Sequence, residues 1–279
     1  MSTNSDSQKI FSYLAVLVIL FILASCKGNN KSIEQNLLTA DSLYKEEFIE
    51  DVAESVYPLP TPFEMTNMLN DIGATYNSKI VNPSENVNKY LTENSKAVGL
   101  GIYGADLTYA STFQQQQDIQ TYMDVIKTLA DQLGIDIDYA ALLSDENKEK
   151  YNNKDSLASI ITRTIFDTYQ YLDEMSNPDL SVLMVTGVWI ELMYIATHVS
   201  EDSYNYSGIV DIIVNQKGSF EKVLNLLDAR NANVEIKDLE VKLQVLTPVY
   251  DKVTSGLSKQ DYETILLTIR SVRNSIVAG

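Results

Sequence analysis

The sequence predicts an all-α domain, built as a multi-helix bundle or an α-solenoid-like array of about nine to eleven helices. Helix start signals that combine a capping residue with proline recur at Thr61-Pro62, Asn82-Pro83 and Asn177-Pro178. Several stretches carry apolar residues three and four positions apart, as on one face of a helix. Strand-like alternation is scarce, and the chain contains no Asn-Gly or Asp-Gly pair to mark a hairpin.

The first half of the mature chain gives three helix predictions. Thr61 is expected to cap a helix that runs to about Ser78, because proline follows it at the first helical position. Asn82 is expected to cap the next helix for the same reason. A third helix is expected over 113–133 and should end at Gly134, since glycine readily adopts the left-handed conformation of a helix C-terminus.

The second half supplies four more helices. Asp155 is expected to cap one of them, and Asn177-Pro178 precedes a long apolar helix. The stretch 236–253 places apolar side chains on one seam, and Pro248 should kink the helix that carries it. Ser258 is expected to open the last helix, whose apolar face comprises Ile265, Leu266, Ile269, Val272 and Ile276.

An internal similarity links two apolar segments. Residues 101–111 align without gaps with residues 187–197, and both segments begin with glycine. Duplication of a helical unit would explain the similarity and would predict a solenoid or a pseudo-twofold bundle. The alternative is a chance resemblance between two apolar helices whose glycines allow close approach.

The N-terminus resembles a bacterial export signal. A polar start with Lys9 is followed by an apolar run of fourteen residues, 10–23, and by Leu23-Ala24-Ser25-Cys26, which resembles a lipobox. This resemblance implies a signal peptide over 1–25, diacylglycerol on the thiol of Cys26, a lipidated tether over 26–32 and a single helical domain over 33–279. The alternative is an uncleaved anchor, but a spanning helix needs roughly 20 apolar residues.

The formal net charge of −17 limits the partners of the body. Asp6 and Lys9 are the charged residues of the signal and cancel, so the mature part keeps this charge. A strongly acidic surface disfavours nucleic acid and anionic headgroups, so we expect no nucleic-acid partner and membrane contact through the lipid alone. The residues after Cys26 (KGNN) contain no acid. By resemblance to other bacterial lipoproteins, this favours the periplasmic face of the outer membrane.

The single cysteine and single histidine restrict the chemistry. With Cys26 as the only cysteine, an intramolecular disulfide and a cysteine nucleophile in the domain are excluded. His198 and Glu191 could form half of a metal site, but no second histidine can complete it. We therefore expect no metal, no cofactor and no catalytic residue. The alternative is a structural role for His198, as a histidine at the end of a helix.

Two acids stand inside apolar helical segments, Asp106 and Glu191, and Arg163 stands inside another. Buried charges are rarely left unpaired, so Arg163 is predicted to pair with Asp106, Glu191 or Asp167. A pocket in which Arg163, Asp106 and Glu191 hold an anionic ligand is one interpretation. A buried ion pair that fixes helix register is the other, and we favour it.

Three stretches, 58–76, 99–112 and 187–197, resemble those of uncharacterised helical lipoproteins from Bacteroidota. The resemblance implies location and fold and carries no activity. We expect a lipid-anchored, non-enzymatic binding or scaffold protein of the cell envelope that engages an envelope protein partner. A ligand-binding lipoprotein is the first alternative, and an envelope enzyme is the less favoured second one.

Overall fold

Helices form the architecture of the computed structural model, which describes residues 59–136, 153–174, 177–200, 202–253 and 256–278. These residues contain no strand, which confirms the all-α fold class. They form nine α-helices of nine or more residues, one single-turn helix, and 3-10 helices at Ser84–Lys89 and Ser203–Asn205. The α-helices are α1 (Pro62–Asp71), α2 (Glu93–Thr112), α3 (Gln116–Leu133), α4 (Lys154–Glu174), α5 (Asp179–His198), α6 (Ser207–Asn215), α7 (Lys217–Asp228), α8 (Val234–Gln244), α9 (Thr247–Tyr250) and α10 (Lys259–Val277).

The predicted signal peptide 1–25, the tether 26–32 and Cys26 itself lie outside the described residues. All described residues belong to one compact unit, Ile49–Gly279.

The core is organised around α2 and α5, which pack against each other along their lengths. Both helices are apolar on every side, and nearly all of their residues are buried. Such helices need neighbours all round. Helix α5 is the one helix among the described residues that is long and apolar enough to cross a membrane, but 94% of its most apolar window is buried inside the protein. It therefore serves here as a core helix.

Two glycines allow α2 and α5 to cross at close range. A β-carbon on Gly101 would lie 2.0 Å from the carbonyl oxygen of Met184, and one on Gly187 would lie 2.4 Å from that of Val98. The crossing is reciprocal, because each glycine meets the residue three positions before the other glycine. This confirms the close approach expected from the similarity between 101–111 and 187–197. A duplication and two independent glycine contacts would both produce this geometry.

Amphipathic helices cover the central pair. Helix α3 packs on α2, α4 packs on both central helices, and α6, α7 and α10 pack on α5. Each presents an apolar face inwards, such as Tyr262, Ile265, Ile269 and Val272 on α10. Burying a side chain of this size contributes about 1.5–3 kcal/mol, so these faces decide where the outer helices lie.

Several helix ends agree with the local signals. Helix α3 ends at Gly134, which has a φ of 69° as expected, and Ser258 accepts a hydrogen bond from the backbone N–H of Asp261 at the start of α10. The seam over 236–253 is buried as predicted, in the residues Ile236, Leu239, Leu243, Leu246, Tyr250 and Val253. Helix α8 ends at Gln244 and the single turn of α9 begins at Thr247, so the helical stretch is interrupted just before Pro248, which lies in the first turn of α9.

The sequence predicted the wrong end for one helix and the wrong start for another. Helix α1 ends at Asp71 rather than near Ser78, because Gly73 adopts a φ of 81°. The backbone N–H groups of Gly73 and Ala74 then donate to the carbonyls of Asn70 and Leu69 and close the helix. Helix α3 begins at Gln116 rather than Phe113, since α2 runs to Thr112 and the turn after it contains Gln114 at a φ of 56°.

Two predicted capping residues have other roles. Asn153, not Asp155, caps α4, because its side chain accepts hydrogen bonds from the backbone N–H groups of Asp155 and Ser156 at 3.0 Å. Asn82 does not cap the 3-10 helix that follows it. Its side chain is buried and donates to the hydroxyl of Tyr90 at 3.0 Å. An asparagine can cap a helix or satisfy a buried polar group, and the sequence does not distinguish the two.

We expect Gly101→Ala to lower the free energy of unfolding by about 3 kcal/mol, because the added methyl group would overlap the backbone of α5. Urea unfolding measures the difference. The control is Gly104→Ala on the same helix, where the nearest atoms lie 3.9 Å away on the flexible side chain of Ile165. It should be neutral or stabilising by about 0.5–1 kcal/mol. Equal losses in the two variants would contradict the close crossing.

Candidate functional site

A cluster of three buried ionisable side chains lies where α2, α5 and α10 meet. Asp106 comes from α2, Glu191 from α5 and Arg273 from α10. The two acids are completely buried, and Arg273 is 6% exposed. Because α2 and α5 are enclosed on every side, any charged residue on them must find its partner inside the protein.

Arg273 binds Glu191 through two parallel hydrogen bonds. Its Nε donates to Oε2 of Glu191 and its Nη2 donates to Oε1, each at 2.9 Å. Nη2 also donates to the backbone carbonyl of Ile80 at 3.3 Å. The guanidinium lies 4.3 Å from the ring centroid of Tyr194, within the range of a cation–π contact. This bidentate geometry is the strongest that arginine and a carboxylate can form.

Asp106 completes the cluster without a cation of its own. Its Oδ2 accepts from the backbone N–H of Asn82 at 3.1 Å, whereas its Oδ1 has no hydrogen-bond partner among the described residues. Burial raises the pKa of Asp106 well above its usual range, the charge of Glu191 acts in the same direction, and Arg273 opposes it. Since one guanidinium balances one carboxylate, the cluster favours a proton on Asp106 beside an ionised Glu191.

The ion pair itself stays charged. Burial raises the pKa of Glu191, but the charge and hydrogen bonds of Arg273 oppose this shift. Burial alone would lower the pKa of Arg273, and Glu191 more than offsets it, so the pKa of Arg273 lies above its usual value. The pair therefore keeps one positive and one negative charge, each satisfied by the other.

An aromatic stack leads from this cluster towards the surface. The ring of Tyr194 stacks on His198 with 4.0 Å between centroids, and Nε of Arg270 donates to Nε2 of His198 at 3.0 Å. Nε2 must therefore be unprotonated, so Nδ1 carries the hydrogen and donates to the carbonyl of Tyr194 at 2.9 Å. Burial lowers the pKa of His198 to about 4, the Tyr194 carbonyl opposes this, and Arg270 lowers it further. His198 is neutral at pH 7, at the end of α5 as expected.

Asp106 and Glu191 come together as the sequence indicated, but Arg163 does not join them. Its side chain is 69% exposed, and its Nε lies 3.6 Å from Oδ2 of Asp167, one turn further along α4. The pairing with Asp167 was one of the three predicted. The predictions that Arg163 is buried and that it belongs to the cluster were wrong. Its position on α4 faces outwards, although its neighbours in sequence are apolar.

Arg273 is the functional cation that sequence reasoning missed. A signal was present, because Arg273 follows Ile269 by four residues, so it stands on the apolar face of α10. An arginine in that position must either break the face or reach a buried acid.

The arrangement of these charges fits a structural ion pair better than a catalytic site. Both carboxylate oxygens of Glu191 and the Nε and Nη2 atoms of Arg273 are engaged within the cluster. Among the described residues, no group of three or more histidine, cysteine, aspartate or glutamate side chains could hold a metal ion. No protein-family model, curated protein or solved structure matches the chain.

We expect Asp106→Asn to be tolerated within about 1 kcal/mol, because an amide reproduces a neutral carboxylic acid in shape and hydrogen bonding. Glu191→Gln should cost about 3–5 kcal/mol, since it leaves the buried Arg273 without a counter-charge. Urea unfolding of both variants at pH 7 measures these costs. Equal losses would contradict the assignment of the proton to Asp106.

The same proton predicts a pH dependence. Above pH of about 4 the unfolded chain releases the Asp106 proton and the folded chain keeps it, so its contribution to stability falls as pH rises towards the folded pKa. The free energy of unfolding of the parent should therefore fall with rising pH relative to that of Asp106→Asn. Because both proteins contain His198, its opposite contribution cancels in that difference.

His198 is the single histidine, so its imidazole titration can be followed by proton NMR without assignment of other histidines. We expect a pKa of about 4. The stability that the neutral ring contributes should be complete above about pH 6.5 and lost as pH falls towards the folded pKa. Arg270→Gln should raise the pKa by removing a charge and a donor, and the control Arg163→Gln should leave it unchanged. A parent titration near 6.5 would contradict the stacked, hydrogen-bonded ring.

Proposed function

We propose that the protein is a lipid-anchored, non-enzymatic binding or scaffold protein on the periplasmic face of the outer membrane. The observation that carries the proposal is the sequence Leu23-Ala24-Ser25-Cys26 at the end of an apolar run, with Cys26 the single cysteine of the chain. Two or more acyl chains on such a cysteine attach a protein durably to a membrane. The acidic body would then stand off the lipid headgroups.

The described helices support a binding role. The central ion pair is enclosed and satisfied, so it fixes the helices relative to one another rather than meeting a substrate. On the outside, Val234 and Val241 of α8 and Val245 just after it are 82%, 52% and 54% exposed. These positions fall on one helical face, and exposed apolar side chains there would favour contact with a protein partner in the envelope.

The two alternatives gain less support. A pocket around Arg163, Asp106 and Glu191 would need the three groups to converge, and Arg163 is on the outer face of α4. An envelope enzyme using these acids would need one of them to reach a substrate, but both are completely buried. A ligand site elsewhere on the surface is compatible with the proposal.

The test of the anchor is Cys26→Ala in cells supplied with labelled palmitate. We expect the parent to incorporate label and to sediment with outer membranes, and the variant to lose both properties. Ser25→Ala is the matched control, because alanine keeps a small residue before the cysteine. Label on the Cys26→Ala variant would overturn the proposed lipidation. Digestion of the parent by protease added to intact cells would overturn the periplasmic orientation.

A further inference from the structure

The chain between α1 and the 3-10 helix at Ser84–Lys89 has almost no regular structure of its own. Residues 74–83, which we call the strap, contain no helix and no strand. Within the strap, one backbone–backbone hydrogen bond joins the N–H of Ile80 to the carbonyl of Asn77 at 3.4 Å. Ile80 and Val81 are its buried apolar side chains. A segment with so few internal contacts depends on the helices around it for its position.

One face of α2 binds the backbone at the end of the strap. Tyr103, Asp106 and Tyr109 are three residues apart, so they lie on the same side of the helix. The hydroxyl of Tyr103 donates to the carbonyl of Pro83 at 2.8 Å. Oδ2 of Asp106 accepts from the backbone N–H of Asn82 at 3.1 Å. Side chains of α2 thus satisfy backbone groups that a helix or a sheet would otherwise pair.

The start and the middle of the strap are bound in the same way. The hydroxyl of Tyr109 accepts from the backbone N–H of Asn77 at 3.0 Å and donates to the carbonyl of Thr75 at 3.3 Å. From α10, Nη2 of Arg273 donates to the carbonyl of Ile80 at 3.3 Å. Two of the side chains that hold the strap, this arginine and the aspartate of α2, therefore belong to the buried ion cluster.

Asp106 is the contact of the strap whose charge can change. Burial raises the pKa of Asp106 well above its usual range, and the charge of Glu191 acts in the same direction. Arg273 and the N–H of Asn82 oppose this shift. Arg273 already binds both carboxylate oxygens of Glu191, and Oδ1 of Asp106 has no partner among the described residues. With the strap closed, a negative charge on Asp106 is poorly compensated, whereas an open strap admits water that hydrates it.

The other titratable groups around Asp106 do not change their proton count near neutral pH. Glu191 and Arg273 remain an ion pair. The remaining groups are tyrosines, from the strap, from its C-terminal side and from α2 and α3, namely Tyr76, Tyr90, Tyr103, Tyr109 and Tyr122. Burial raises the pKa of each tyrosine, and the ordinary value of about 10 keeps them protonated even when the strap is open.

We propose that the strap is a pH-sensitive element, which stays closed while Asp106 is protonated and opens as a local unit when that proton is lost. The closed strap holds the proton more tightly than the open strap, in which Asp106 has its ordinary pKa of about 4. The closed state is therefore favoured most below about pH 4 and loses this advantage as pH rises towards the closed-state pKa. Opening would expose the Arg273–Glu191 pair to water. This inference goes beyond the proposed anchoring function and does not depend on it.

Hydrogen–deuterium exchange of the full chain in detergent micelles measures the opening, because a bonded N–H exchanges when its contact opens. The amides of Asn77 and Asn82 report on the strap, and those of α5 report on global unfolding. Rates between about pH 5 and 8 are divided by those of an unstructured peptide of the same sequence, which removes the intrinsic pH dependence. We expect less protection in the strap than in α5. Since opening releases one proton, protection of the strap should fall about tenfold per pH unit below the closed-state pKa.

Two variants separate the proton from the other contacts of the strap. Asp106→Asn should lose the pH dependence, because an amide oxygen accepts the same N–H and has no proton to release. The control Tyr109→Phe removes the hydroxyl that contacts Asn77 and Thr75 without changing a charge. It should lower protection of the strap about fivefold at every pH and keep the slope of the parent.

The same pH dependence in the parent and in Asp106→Asn would refute the role of the proton. Strap amides as strongly protected as those of α5 would refute local opening. Cys26→Ala should behave as the parent does, so failure of the anchor and failure of the strap are distinct results.

Discussion

The pair between Arg273 and Glu191 is the interaction on which the packing of the described helices depends. One guanidinium on α10 contacts the carboxylate of α5 at 2.9 Å, the carbonyl of Ile80 at 3.3 Å and the ring of Tyr194 at 4.3 Å. Such a pair need not be more stable than apolar side chains of the same volume. It does penalise every arrangement in which one charge loses the other. Its effect is therefore to fix the register of α10 on α5.

The glycine crossing explains why the acids meet at this point. Asp106 follows Gly101 by five residues and Glu191 follows Gly187 by four, so each acid stands just over one turn beyond the contact. Because the two backbones touch, side chains one turn further on still converge. Two converging acids and one arginine leave an excess negative charge, and a proton on Asp106 removes it at the lowest cost. Backbone packing thus raises the pKa of Asp106.

Sequence reasoning succeeded where the signal was local. Gly134 and Ser258 act through hydrogen bonds to residues within one turn, so a short stretch of sequence was enough to assign them. It failed for Asn82, whose partner Tyr90 lies inside the core, and for Arg163, whose apolar neighbours suggested a burial that the packing of α4 does not give. The apolar face of α10 could have marked Arg273 for burial, but Arg273 and Glu191 are far apart in sequence, and only tertiary packing selects Glu191 as its partner.

The same rule, that buried polar groups need partners, separates the two faces of α5. Trp189 and Glu191 are two residues apart, which places them about 200° apart around the helix axis. On one face, Glu191 and Arg273 satisfy each other and close the site. On the other, Nε1 of Trp189 has no partner within the described residues. The rule is therefore satisfied on the face that Arg273 closes, whereas the indole N–H is the one buried side-chain donor of α5 that the described residues leave without an acceptor.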